Sequence, residues 1–326
     1  MLRALSGRSA TWLLCGICVL PALSAISSPA RAQDRQQAAL ADRAPSQVSA
    51  QHDNRARPHG PVGEPGPSGP LDRAMDRHAR GDARTALALY EDALRREPTS
   101  RVALLNRGVV LSTHLSEPGR AISDFDRVLE LAPDSVDALV FRGDAHMRLA
   151  AYHQALADFD RAVALAPTSA QVRVLRGLAR AMLGDVTRAS IDYGRALALD
   201  GRNVDALVNR AAILVASGDA DGGLRDLDAA LAIEPRNALA LYNRGYIHFS
   251  RHRHEAAIRD YSAAIHLDSR FGWAYLNRCL TRAVAGRDLG EALADCDRAR
   301  ALLPDAQQVR TLAPQIARLV RSAATN

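Results

Sequence analysis

The 326-residue chain contains no lysine, so all 42 of its basic side chains are arginines. We read this as the mark of GC-rich codon usage rather than of a binding surface. Aromatic residues make up only 4% of the chain, and β-branched residues are sparse. Alanine, leucine and arginine dominate instead, and these are the strongest helix formers. Chemical signatures are missing as well. There is no Gly-x-Ser-x-Gly nucleophile turn, no phosphate-cradling glycine loop and no paired-cysteine metal spacing. Nothing in the chain calls for a cofactor. The net charge of +6 suggests nucleic acid at first sight, but Arg3, Arg8 and Arg31 supply half of it in an acid-free stretch, leaving +3 from residue 33 onward. The remaining acids and arginines interleave, as on a solvated helical surface rather than a phosphate-tracking stripe.

The one long apolar run is Trp12 to Ile26, broken by Pro21. It falls short of the ~20 residues that a membrane-spanning helix needs. Arg3 and Arg8 precede it, and Ala30-Arg31-Ala32 follows with small residues before Gln33. This is the layout of a secretory signal peptide spanning residues 1–32, with cleavage expected after Ala32. The implied location is periplasmic or secreted, and an uncleaved anchor is the alternative. Neither Cys15 nor Cys18 is preceded as a lipidated cysteine would be. Stable membrane insertion after cleavage is not expected. The mature chain keeps two cysteines, Cys279 and Cys296. In an oxidising compartment they could pair, or they could be two small buried thiols.

Residues 33–70 lose apolar periodicity. They carry glycine at every third position from Gly60 to Gly69, too few triplets for a collagen helix. A segment so poor in large apolar residues cannot offset its ordering entropy, and we expect a stiff, extended linker.

From there to about residue 305 the chain repeats. Ala121-Ile-Ser-Asp-Phe125, Ala155-Leu-Ala-Asp-Phe159, Ala189-Ser-Ile-Asp-Tyr193, Ala257-Ile-Arg-Asp-Tyr261 and Ala292-Leu-Ala-Asp-Cys296 align, mostly 34 residues apart, with one extra residue in the second and seventh units. Each is preceded by a segment such as Leu104-Leu-Asn-Arg-Gly108, Leu139-Val-Phe-Arg-Gly143 or Leu241-Tyr-Asn-Arg-Gly245. Proline usually closes the unit, as at Pro98, Pro133, Pro167, Pro235 and Pro304. Small residues in the first segment permit close helix approach, and the large residue of the second fills the adjoining space. Gly81-Asp82, Gly184-Asp185 and Gly218-Asp219 offer the left-handed position that ends a helix.

These motifs closely resemble the tetratricopeptide-repeat (TPR) family. Seven units in register carry the resemblance, at about residues 67–100, 101–135, 136–169, 170–203, 204–237, 238–271 and 272–306. The implied fold is all-α: a right-handed superhelical solenoid of antiparallel helix pairs over 71–305. Residues 306–326 would form a capping helix and tail, with Leu312, Ile316 and Val320 on one side and Pro314 expected to kink or restart it.

A charge ladder runs through the repeats. Arg107, Arg142, Arg176, Arg210, Arg244 and Arg278 hold one position of the first helix; Asp124, Asp158, Asp192, Asp226, Asp260 and Asp295 hold one of the second. We expect arginine–carboxylate pairs with a structural role, the other reading being ligand capture by the arginines. The family resemblance implies that first helices line a concave groove. Carried over by position, the peptide- or protein-binding residues would be Asn209, Tyr242, Asn243, Tyr246, Phe249, Trp273, Asn277 and Leu280. In the family this asparagine often bonds the backbone of an extended peptide. The expected function is therefore a non-catalytic scaffold that assembles or recruits cell-envelope proteins. One alternative is a holdase for exported chains. Another is a metal-binding enzyme subunit built on His248, His252 and His254, of which His248 and His252 are four apart on a helix. His248 stands at a packing position of the repeat, and His252 at the turn-glycine position.

Overall fold

The first helix opens on a proline, and for a physical reason: at the first helical position the missing N–H has no partner to lose. In the computed structural model, which describes residues 69–286 and 288–324, helix α1 spans Pro70–Ala79 with Gly69 as its N-cap. The helical array thus begins at the last residue assigned to the linker. The signal pattern of residues 1–32 and the rest of the linker lie outside the described residues.

Fifteen α-helices follow one another among the described residues, joined by short turns. The chain divides into two compact units between Leu183 and Gly184. The first unit contains α1, α2 (Ala83–Arg96), α3 (Arg101–Val109), α4 (Pro118–Leu131), α5 (Val136–Arg148), α6 (Tyr152–Leu165) and α7 (Ala170–Met182). The second contains α8 (Val186–Leu199), α9 (Val204–Ala216), α10 (Ala220–Ile233), α11 (Ala238–Ser250), α12 (His254–Leu267), α13 (Gly272–Ala285), α14 (Leu289–Leu302) and α15 (Gln307–Ala324). Within each unit, consecutive helices pack antiparallel, as short connections require.

Capping chemistry fixes the helix starts. Ser135, Ser169, Asn203 and Asn237 accept a bond from the backbone N–H three residues on, opening α5, α7, α9 and α11. Asp82, Asp185 and Asp219 do the same for α2, α8 and α10. Gly81, Gly184 and Gly218 adopt φ of 77°, 83° and 94° just after α1, α7 and α9, the left-handed turn the sequence suggested. His252 holds the same position with φ 56°, confirming its place in the turn.

The extra residue of the second repeat is absorbed inside its first helix. Val110–His114 forms a π-turn continuing α3, with Leu115 N–H bonded to the Val110 carbonyl. At the other end, α15 runs uninterrupted through Pro314 rather than restarting there. Proline removes one helical bond, and the apolar side formed by Val309, Ala313, Ile316 and Val320, all buried, holds the helix in place nonetheless.

The glycines of the first helices face rings. A Cβ at Gly143 would stand 2.6 Å from the Phe159 ring, and one at Gly245 2.9 Å from Tyr261. Gly143→Val is expected to lower stability by about 1–3 kcal/mol, since the ring is fully buried and has nowhere to retreat. The shift of the urea midpoint measures this. An unchanged midpoint would mean that the helix pair opens at little cost.

Candidate functional site

The charge ladder is the most regular polar feature. Every second-helix aspartate of the ladder is buried, and in five of the six repeats the first-helix arginine grips it with two parallel bonds. Arg107 donates to Asp124 from Nε at 2.9 Å and Nη2 at 2.6 Å; Arg142 donates to Asp158 at the same two distances. Arg210 grips Asp226 at 2.7 Å twice, Arg244 grips Asp260 at 2.9 Å twice, and Arg278 grips Asp295 at 2.8 and 2.6 Å. Asp192 is fully buried in the second unit, and Arg176, in the first, donates to Asp160 at 3.1 Å.

The third arm of most of these arginines reaches back one repeat. Arg142 Nη1 donates to Asp126, Arg244 Nη1 to Asp228 and Arg278 Nη1 to Ser262, at 2.6, 3.0 and 2.9 Å. These arginines therefore tie a repeat to its predecessor as well as closing their own pair. The bonds to the aspartate raise the pKa of Arg107, Arg142, Arg210 and Arg244 against the opposing effect of burial. Sequence reasoning found the pairs but missed this second tie, which only the neighbouring helix supplies.

The eight binding candidates separate by burial. Tyr242 is 1% exposed and Asn277 3%, and Asn277 Nδ2 donates to Tyr242 Oη at 3.0 Å. Phe249 and Leu280 are also buried. Tyr242 packs against Phe271 with ring centroids 4.8 Å apart and against Tyr261 at 5.8 Å. These four residues are core, which corrects their assignment to a binding surface. A buried phenol needs one polar partner, and the asparagine one repeat later provides it. Asn209 on α9, Asn243 and Tyr246 on α11, and Trp273 on α13 keep part of their surface in solvent. Tyr275, beside them on α13, is likewise half-buried, with the Arg278 guanidinium 5.6 Å from its ring centroid.

Cys279 on α13 and Cys296 on α14 are joined as a disulfide, with Cα atoms 5.5 Å apart and both side chains buried.

The histidines do not converge. His248 Nε2 lies 3.8 Å from Asp260 Oδ2, while His252 and His254 meet edge to face with centroids 5.9 Å apart. Among the described residues no group of three or more potential ligands could hold a metal ion. Burial lowers the pKa of His78, His146, His248 and His254 from the ordinary 6.5. The unfolded chain then binds more protons than the folded one as pH drops through 6.5, so stability rises with pH across that range. The urea midpoint is expected to fall between about pH 7.5 and 5.5, and His248→Gln to flatten the slope. A midpoint independent of pH there would show these histidines to be as free as in the unfolded chain.

The fold and this arrangement define an all-α helical-repeat protein. Tetratricopeptide-repeat models match residues 71–136, 114–170, 142–213 and 238–271, together more than half of the chain. The chain belongs to the tetratricopeptide-repeat family. Among solved structures it is similar to one from the APC/C hetero-tetramer Cut9–Hcn1, with a TM-score of 0.67 and 16% identity over 74% of this chain and 48% of that one. It therefore spans about half the length of that relative. It is also similar to a tetratricopeptide-repeat protein of Parabacteroides merdae, with a TM-score of 0.61 and 18% identity over 77% of this chain and 97% of that one. A third match is pilF of Pseudomonas aeruginosa, with a TM-score of 0.54 and 18% identity over 61% and 90% of the two chains. Identities this low carry the fold alone.

Proposed function

We propose that the chain binds a segment of another protein on the first-helix face of α9, α11 and α13, through Asn209, Asn243, Tyr246 and Trp273. One observation carries this reading. The chain has few aromatics, and Tyr90, Phe125, Phe159, Tyr193, Tyr242 and Tyr261 are at most 1% exposed, yet Tyr246, Trp273 and Tyr275 stay partly in solvent on neighbouring first helices. Partly exposed aromatics flanked by amide side chains suit an extended peptide: the rings supply contact area and the amides bond its backbone. We further propose that the protein works outside the cytoplasm, in assembling or recruiting envelope proteins. The signal pattern of residues 1–32 and the disulfide support that reading.

The test uses the chain from Gln33 onward as bait on an envelope extract, beside a Tyr246→Glu/Asn243→Ala bait with the same circular dichroism. A selected partner is then titrated against both. Its Kd is expected to rise roughly 30-fold or more for the variant, as for a central aromatic contact. Equal affinity for both baits would remove the site from this face. Indiscriminate capture of unfolded chains would point to a holdase.

A further inference from the structure

The ladder has a gap. Arg142, Arg244 and Arg278 each direct Nη1 onto an oxygen of the preceding second helix, at Asp126, Asp228 and Ser262. The corresponding residue before Arg210 is Gly194 on α8. Arg210 bonds only Asp226, through Nε and Nη2, and its Nη1 has no partner among the described residues. A Cβ built at Gly194 meets nothing within 4 Å, so a side chain at the place where Asp126 and Asp228 stand before Arg142 and Arg244 would enter open space. Arg210 is also the most exposed of the ladder arginines with a salt bridge, at 30% against 11% to 26% for the others.

The surface around the gap is unlike its counterparts. Ile191, one helical turn before Gly194, is 48% exposed. Ser123, Ala157, Arg225, Arg259 and Ala294 occupy that position elsewhere. Arg195 follows Gly194 and is exposed. Arg210, Arg195 and Ile191 thus lie by sequence position around an open place that an aspartate holds before Arg142 and Arg244 and a serine holds before Arg278.

We propose that this open place is a recognition point for an acidic side chain of a partner protein, with an apolar neighbour of that side chain resting on Ile191. The incoming carboxylate takes the place that Asp228 holds before Arg244 and accepts from Arg210 Nη1, which is already oriented by its two bonds to Asp226. Charge complementarity selects the occupant: an aspartate or glutamate, not a base and not a purely apolar segment.

The test follows the arginine Nε–H signals by NMR while the folded chain is titrated with N-acetylglutamate α-amide, whose side-chain carboxylate is its only charge. The glutamine analogue is the control. The Arg210 signal is expected to move more than that of Arg244, and only with the glutamate compound. Gly194→Asp supplies an internal carboxylate and is expected to abolish the difference, while Gly194→Ala, which adds no charge to the open space, retains it. Equal shifts at Arg210 and Arg244, or an Arg210 shift that survives in Gly194→Asp, would overturn the proposal.

Discussion

Arg142→Leu is expected to cost about 3–5 kcal/mol of stability, as for other buried ion pairs deprived of one partner. Arg142 makes three bonds to two carboxylates, and its removal strands Asp158, whose side chain is only 5% exposed. The cost comes from that stranded charge more than from the bonds themselves. The double variant Arg142→Leu/Asp158→Leu is therefore expected to recover most of the loss, because neither charge is then buried. Urea denaturation of the wild type, both single variants and the double variant completes the cycle. If the single variants cost no more than an exposed pair, under about 1 kcal/mol, the ladder is surface decoration. If they leave stability intact and abolish partner binding, the arginines serve a ligand.

Breaking the Cys279–Cys296 link is expected to cost about 2–4 kcal/mol, the usual scale for closing a loop of this size. The bridge spans 17 residues and joins the two helices of the last repeat. Contacts in a repeat array run mainly to nearest neighbours, so the loss is expected to fall on α13, α14 and α15 first. Hydrogen exchange on the Cys279→Ala/Cys296→Ala variant, or on reduced protein, should show faster exchange from about residue 272 onward and little change in the first unit. Mass spectrometry of protein isolated without reductant gives the independent check: two alkylatable thiols would rule out the bridge.

The parts legible in the sequence are those set by periodicity. A 34-residue recurrence of small, acidic and aromatic residues implies a helix pair that cannot bury its own apolar face, and so an array. The ladder was legible for the same reason, since arginine and aspartate recur in step. Turn positions could be read from Gly81, Gly184 and Gly218, where only a left-handed residue closes the pair. Pro314 misled, because local propensity alone says that proline interrupts a helix, whereas packing of Ile316 and Val320 carries α15 through it.

Sequence by itself therefore determined the fold class, the presence of the repeat and most of the arginine–aspartate pairing, all of them properties of one repeat multiplied along the chain. Tertiary structure alone decided which candidate residues reach solvent. Tyr242 and Tyr246 lie one helical turn apart and read alike in the sequence, yet Tyr242 is sealed by Phe271, Tyr261 and Asn277 while Tyr246 keeps an open side. It also decided that Arg210 has an empty arm, since the glycine responsible stands 16 residues earlier on another helix. Burial and partnership depend on what neighbouring helices bring to a residue, and a repeat pattern specifies a residue's place in its own unit only.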